Sequence, residues 1–270
     1  MPVLDWPSVL FGSAVMRSST SANGVDNAFA LALRLLPLLD LTSLGDDDTP
    51  SQIEDLCQSA RTSHGVPAAV CVYPEHVTTA RRALQGTQVR IATVVNFPDG
   101  STDKDRAVRE TRRALAAGAH EIDLVLPQNF DSPAYVLVAQ RMVRDCREVC
   151  GPDTVLKLIL ETGALRTPQR IREACCIGLE EGVDFLKTST GKASVSATLD
   201  ATAIMLDAIA EDGARCGIKV AGGIRTLAQA AEYVVQADQR FGAAWVTSAH
   251  FRIGASSLFD ELTAALSPAP

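Results

Sequence analysis

Short runs rich in Val, Ile and Leu alternate along this chain with longer stretches of helical period. The strand-like runs are Leu35–Thr42, Ala68–Tyr73, Arg90–Phe97, Glu121–Pro127, Thr154–Glu161, Asp184–Thr190, Ile218–Gly223 and Ala243–Ala249. Their starts lie about 30 residues apart, the length of one βα unit with a parallel strand and a crossover helix. The stretches between them carry helix punctuation. Thr102–Gly118 opens on Thr and acidic residues and closes on Gly, and Ser132–Gly151, Thr167–Gly182, Thr198–Gly213 and Thr226–Gly242 follow the same Ser/Thr-to-Gly plan.

Eight such units predict an α/β fold, a single closed (β/α)8 barrel of TIM type, over residues 35–266. The rival is an open doubly wound sheet, but the first strand lacks the G-x-G-x-x-G of a dinucleotide fold. No Pro/Ser-rich linker divides the barrel region. Residues 1–34 form an N-terminal extension, in which Val25–Leu36 reads as a helix placed to plug the barrel bottom and Ser18–Gly24 as loop. Residues 267–270 read as a loose tail.

Composition narrows the partners. Hydrophobic residues make up 47% and charged residues 21% of the 270, a globular balance, and the aromatic share of 5% makes the core aliphatic. The net charge is −7 with no basic block, which argues against nucleic acid and anionic membrane as partners. Any anionic ligand must therefore be held by local positive charge. Seven Cys form no Cys-x-x-Cys and read as reduced thiols of a cytoplasmic protein. No apolar run approaches the ~18 residues of a membrane span, and the start, with Asp5 and Pro7, does not read as a signal peptide.

A barrel active site sits at the C-terminal ends of the strands. Ionisable residues therefore stand out where aliphatics are expected: Asp123, Lys157, Lys187 and Lys219, with Asp40 and Glu161 at the ends of two more runs. Strand alternation places Phe185, Lys187 and Ser189 on one face. Packing a charge against the helices is costly, so Lys187 is read as inward. Lys219 occupies a similar place in the next run, and adjacent strands lie ~4.8 Å apart, which makes the two lysines neighbours. Mutual repulsion and burial both push a lysine pKa down, toward the neutral amine that Schiff-base formation requires. Asp123 is placed to orient or neutralise a lysine, or to move protons through a water; Asp40 suits either job. Lys157 and Glu161 share parity and are expected to pair with each other. A purely structural ion pair among these groups is the competing reading.

Three glycine-bearing corners follow the last strands: Thr190-Gly191-Lys192, Gly222-Gly223-Ile-Arg225 and Gly254-Ala-Ser256-Ser257. Backbone N–H groups at such corners, with a helix N-terminus behind the last, make an anion site, and barrels often hold phosphate there. Lys192 and Arg225 add formal charge. Cys71 ends the second run and either faces the site or packs beside it. Gly191-Lys192 is not a Walker A, since Ala193 follows and no Gly stands at 186. The four His show no metal-ligand spacing, so no metal is expected. No Gly-x-Ser-x-Gly elbow is present.

Taken in order, these segments resemble the deoxyribose-phosphate aldolases, class I aldolases on a (β/α)8 barrel, from about residue 35 to 262. The resemblance rests on Leu39-Asp-Leu-Thr-Ser-Leu44 with Asp46-Asp-Asp-Thr49, Val70-Cys-Val-Tyr-Pro74, Ile91-Ala-Thr-Val-Val-Asn-Phe-Pro98, Glu121-Ile-Asp123 and Ile159-Leu-Glu-Thr-Gly163. It continues with Asp184-Phe-Leu-Lys-Thr-Ser-Thr-Gly-Lys192, Lys219-Val-Ala-Gly-Gly-Ile-Arg-Thr226 and Gly254-Ala-Ser-Ser-Leu258. It implies reversible cleavage of 2-deoxy-D-ribose 5-phosphate to D-glyceraldehyde 3-phosphate and acetaldehyde, with neither metal nor cofactor. It implies a Schiff base on Lys187, a neighbouring Lys219 that lowers its pKa, and Asp123 as acid/base partner with Lys219 and a water. Asp40, Thr42, Cys71 and Thr190 would line the sugar pocket. Gly191, Lys192, Gly222, Gly223, Ser256 and Ser257 would hold the phosphate. The implied partners are the sugar phosphate, acetaldehyde and further copies of this chain in a homodimer or larger homo-oligomer. Alternative readings are a Schiff-base aldolase for a ketose phosphate and a sugar-phosphate-binding protein without catalysis.

The chain departs from the family pattern in three places. Well-known bacterial members end in a mobile tail with a terminal Tyr that aids proton transfer, whereas this chain ends Ser-Pro-Ala-Pro and its last Tyr is Tyr233. Lys219 is followed by Val220, where Pro or Ala is frequent. The N-terminal extension is unmatched.

Overall fold

The computed structural model describes residues 22–128 and 133–267. Most of the loop expected at 18–24 and of the tail expected at 267–270 lies outside the described residues. Eight parallel strands pair in sequence order and close into a barrel. They are β1 (Leu39–Thr42), β2 (Ala69–Val72), β3 (Arg90–Val95), β4 (Glu121–Val125), β5 (Val155–Ile159), β6 (Phe185–Lys187), β7 (Gly217–Ala221) and β8 (Phe251–Ala255). Around them run α1 (Ala22–Leu35), α2 (Pro50–Ser59), α3 (Val77–Ala83), α4 (Lys104–Ala117), α5 (Pro133–Cys150), α6 (Thr162–Leu165), α7 (Pro168–Glu180), α8 (Leu199–Glu211), α9 (Leu227–Phe241) and α10 (Leu258–Leu266). Among the described residues, no helix is long and apolar enough to cross a membrane.

Three expectations from the hydrophobic pattern need correction. The first apolar run begins as the end of α1 and a 3-10 turn over Leu36–Leu38, so β1 starts only at Leu39. Pro37 explains this, since it lacks the N–H that a central strand must donate. The last strand is Phe251–Ala255, not Ala243–Ala249. The run 243–249 forms turns in which the Trp245 ring stacks on Phe241 and His250, while its indole N–H donates to the Ala214 carbonyl at 3.2 Å. Finally, the N-terminal helix α1 takes in residues 22–24, which were expected as loop. It begins at Ala22 and packs against α9 and α10, with Arg34 pairing Asp238 at 2.6 Å. Its buried Ala32 and Leu35 belong to the large apolar layer between strands and helices.

That layer takes every second strand residue, for example Ile122 and Leu124 of β4 or Ile218 and Val220 of β7. The alternate residues face the barrel axis. There only Ala69, Cys71, Ala92 and Val94, from β2 and β3, form an apolar cluster. The rest of the axis is largely charged, where most barrels pack branched aliphatics.

The helix after β7 opens with a capping box. Gln229 N–H donates to Thr226 Oγ1 and Thr226 N–H donates to Gln229 Oε1, each at 3.2 Å. Thr226→Ala removes one of these bonds, and we expect a loss of about 1 kcal/mol. In a chain of this size that lowers the melting temperature by roughly 2–4 °C. An unchanged melting curve contradicts a role for this cap in stability.

Candidate active site

Lys187 ends β6 and stands in register with Lys219 in the middle of β7. Both project inward. From β4, Asp123 Oδ2 accepts from Lys187 Nζ and from Lys219 Nζ, each at 2.8 Å. Asp123 Oδ1 accepts from Lys157 Nζ, also at 2.8 Å. Behind these, Lys219 Nζ lies 2.6 Å from Asp40 Oδ2, and Lys157 Nζ lies 2.6 Å from Glu121 Oε2.

The two neighbouring lysines have opposite electrostatic fates. Burial pushes the Lys187 amine below its ordinary value, and repulsion by Lys219 adds to this against the pull of Asp123. Burial acts on Lys219 in the same direction. There, however, two carboxylates, Asp123 and Asp40, outweigh it and hold the ammonium well above its ordinary value. The expectation that both amines are pushed down is therefore corrected for Lys219. Burial alone would raise Asp123, but Lys157, Lys187 and Lys219 together hold its carboxyl well below the usual range.

A cavity of about 420 Å³ opens above these groups, at the C-terminal end of the strands. Lys187, 3% exposed, lines it, whereas Asp123 and Lys219 are fully buried beneath. Thr42 and Thr190 also line it. Asp40 does not. It is fully buried between Lys219 and Arg252, whose guanidinium donates to Asp40 Oδ1 at 2.7 Å. The expectation that Asp40 lines the sugar pocket is thereby corrected. Cys71 does not line the cavity either, which corrects its expected place in the sugar pocket; it is fully buried in the small apolar cluster, and burial raises its thiol pKa. The expected Lys157–Glu161 pair is also absent, because Lys157 points into the axis toward Asp123 and Glu121. Glu161 adopts a left-handed backbone at φ 55° and turns its carboxylate to Thr190, accepting from the Thr190 N–H at 3.2 Å and hydroxyl at 2.5 Å. It thus fixes a side chain on the cavity wall.

The three glycine corners meet at this cavity, where Gly191, Lys192, Gly222, Gly223, Ser256 and Ser257 all line it, as does Arg225. Gly222 has φ +89°, and a Cβ there would lie 2.5 Å from the Ser196 side chain and 3.2 Å from the Gly191 Cα. Only Gly allows these two loops to approach so closely. Ser257 precedes α10, and its hydroxyl makes no capping hydrogen bond. Lys192 Nζ reaches Asp46 at 3.1 Å, and Asp46 also accepts from the Tyr73 hydroxyl at 3.1 Å. With Asp46 this exposed, the pair is worth little and is open to exchange for a bound anion. The sequence reading assigned Asp46 and Tyr73 no role, and nothing in their spacing shows that they converge on Lys192. Arg252 was missed too, because its strand was placed elsewhere.

Comparison with known proteins gives a consistent picture. The model of the DeoC/LacD family aldolases matches residues 34–261. A solved Toxoplasma gondii structure, assigned as a deoxyribose-phosphate aldolase, is 26% identical over 90% of this chain and 96% of that one, with a TM-score of 0.81. A Coccidioides immitis structure with the same assignment is 30% identical over 86% of each chain, with a TM-score of 0.74. The deoxyribose phosphate aldolase of Aeropyrum pernix, described as a tetramer, is 22% identical over 90% of this chain and 97% of that one, with a TM-score of 0.68, a likeness of fold alone.

Proposed function

Since the chain belongs to the DeoC/LacD aldolase family and is an aldolase, a carbon–carbon lyase, we propose that it cleaves 2-deoxy-D-ribose 5-phosphate reversibly to D-glyceraldehyde 3-phosphate and acetaldehyde through a Schiff base on Lys187. The observation that carries this reading is one buried lysine, held toward its neutral form, at a cavity that the glycine corners, Lys192 and Arg225 also line.

In this reading the neutral Lys187 amine attacks the C1 aldehyde of the open-chain sugar, and loss of water from the carbinolamine leaves an iminium ion. The C3 hydroxyl gives up its proton, the C2–C3 bond breaks, and its electron pair is taken up as the enamine. Glyceraldehyde 3-phosphate leaves. Protonation at C2 and hydrolysis of the iminium then release acetaldehyde and restore the amine. Asp123, whose three cations favour the carboxylate in the resting site, takes the travelling proton only in passing, through a water. Lys219 stays charged and holds Asp123 in place. Thr42 and Thr190 meet the sugar hydroxyls. The N–H groups of Gly191, Gly222, Gly223, Ser256 and Ser257, with Lys192, bind the phosphate. Self-association into a homodimer or larger homo-oligomer belongs to the same proposal and is read directly by light scattering.

The test is an assay of acetaldehyde release from 2-deoxyribose 5-phosphate against unphosphorylated 2-deoxyribose. Loss of the phosphate contacts lowers kcat/KM by on the order of 10²-fold or more, at about 1.5–3 kcal/mol per charged hydrogen bond. Gly222→Ala, which drives a Cβ against Ser196, raises KM for the phosphorylated sugar. Equal turnover of the two sugars contradicts the phosphate assignment.

A further inference from the structure

Six buried charges along the barrel axis form a closed ring of alternating sign. Arg252 contacts Asp40 at 2.7 Å and Glu121 at 3.1 Å. Asp40 contacts Lys219 at 2.6 Å, Lys219 contacts Asp123 at 2.8 Å, Asp123 contacts Lys157 at 2.8 Å, and Lys157 returns to Glu121 at 2.6 Å. Around the ring each carboxylate thus bridges two cations and each cation two carboxylates, and Lys157 also reaches across it to Asp40 at 3.6 Å. Three negative and three positive charges sum to zero. Lys187 hangs outside this ring from Asp123 alone. A fourth cation on the axis has no anion left to balance it among the described residues, and an uncompensated charge in a buried site is costly.

Arg252 closes the ring at the end remote from the cavity. It is the second residue of β8, and its partner Glu121 is the first residue of β4. It does not line the cavity. Its guanidinium packs over the Phe185 ring of β6, 5.5 Å from the centroid. Arg90 of β3 also approaches Glu121, at 3.7 Å, but its side chain is 43% exposed and screened by solvent. The groups that face Lys187 are Asp123 from β4, Lys219 from β7 and the Cys71 thiol from β2. Guanidinium suits the closing position because it holds its proton at any pH and so never relieves the balance by losing charge.

We infer that Arg252 is a remote positioning residue for the reaction: by bringing the buried ring to electrical neutrality, it leaves Lys187 as the uncharged amine. This rests on the reading of Lys187 as the amine that attacks the carbonyl. Arg252→Met removes one cation and leaves the ring with one excess negative charge, which protonation of Lys187, next to the cavity, neutralises. Glu121→Gln removes one anion and has the opposite sign. Combining the two returns the sum to zero.

The experiment is the pH dependence of borohydride trapping of acetaldehyde on Lys187, read by peptide mass mapping in the full chain. In Arg252→Met the pH at which trapping reaches half its plateau moves up by about one unit or more, given a charge placed within about 10 Å in a poorly screened site. In Glu121→Gln it moves down, in the double variant it returns to the wild-type position, and in Arg252→Lys it stays near it. General damage to the barrel does not yield shifts of opposite sign that cancel. Unmoved profiles in folded Arg252→Met or Glu121→Gln overturn the inference, as does a double variant that fails to return. Should Arg252→Met not fold, the acid shift of Glu121→Gln decides the matter alone. Absence of any adduct on Lys187 in the wild-type protein overturns the Schiff-base reading instead.

Discussion

Replacing Lys187 by Met lowers turnover of 2-deoxyribose 5-phosphate by at least about 10⁴-fold, since no other amine on the cavity floor replaces the covalent step. Lys219 is fully buried and pinned between two carboxylates that keep it charged, so it is a poor substitute. Binding behaves differently. The glycine corners are untouched, and the affinity for inorganic phosphate or glyceraldehyde 3-phosphate, measured by calorimetry, stays within about threefold, a difference of well under 1 kcal/mol. Stability is preserved as well. Met matches the length of the lysine stem, and the residue lost is the one outside the neutral ring. The ring it leaves behind sums to zero charge, so the cost of about 3–5 kcal/mol for an uncompensated buried charge does not arise. Turnover unchanged in the Met variant removes Lys187 from the mechanism.

Asp123→Asn has a different signature, because it strikes activity and stability together. The carboxylate accepts from Lys157, Lys187 and Lys219 at 2.8 Å each. Without its charge the ring keeps three cations and only two anions. Breaking a buried ionic network in this way costs about 3–5 kcal/mol, or a fall of roughly 6–20 °C in melting temperature for a chain of this size. Loss of the proton acceptor lowers kcat by on the order of 10²–10⁴-fold. The pH dependence of stability follows from the depressed carboxyl. Its folded pKa lies well below 3.8, so its contribution is fully present above that value and is lost as pH falls below it. Urea unfolding therefore separates wild type from the Asn variant by a constant margin from neutral pH down to about 5, and the margin shrinks below about 4. A margin that grows on acidification contradicts the assignment of Asp123 as the ionised centre.

The barrel and half of its site were readable from the chain itself, for a geometric reason. Alternation along a strand decides which face a residue takes, and strands adjacent in sequence are adjacent in a parallel barrel. Lys187 and Lys219, on consecutive units, could therefore be brought together by counting, and their register match follows. The glycine corners were legible because they sit in loops that all open at one end. What lay hidden needs the third dimension. Asp40, Glu121 and Arg252 come from β1, β4 and β8, and only the closed barrel brings them to one level. The eighth strand was misplaced because its inward Arg252 breaks the apolar run, while the apolar stretch before it is consumed by the stacked Trp245. The rise of Lys219 could not be foreseen from repulsion alone, since it depends on a second carboxylate, Asp40, whose side chain points to the axis rather than to the cavity.

The most direct test of the account is to incubate the folded protein with acetaldehyde and borohydride and to map the modified peptide. The account predicts one reduced two-carbon adduct, on Lys187, with Lys157 and Lys219 unmodified. An adduct on Lys219, or none at all in protein that retains its native melting transition, contradicts it.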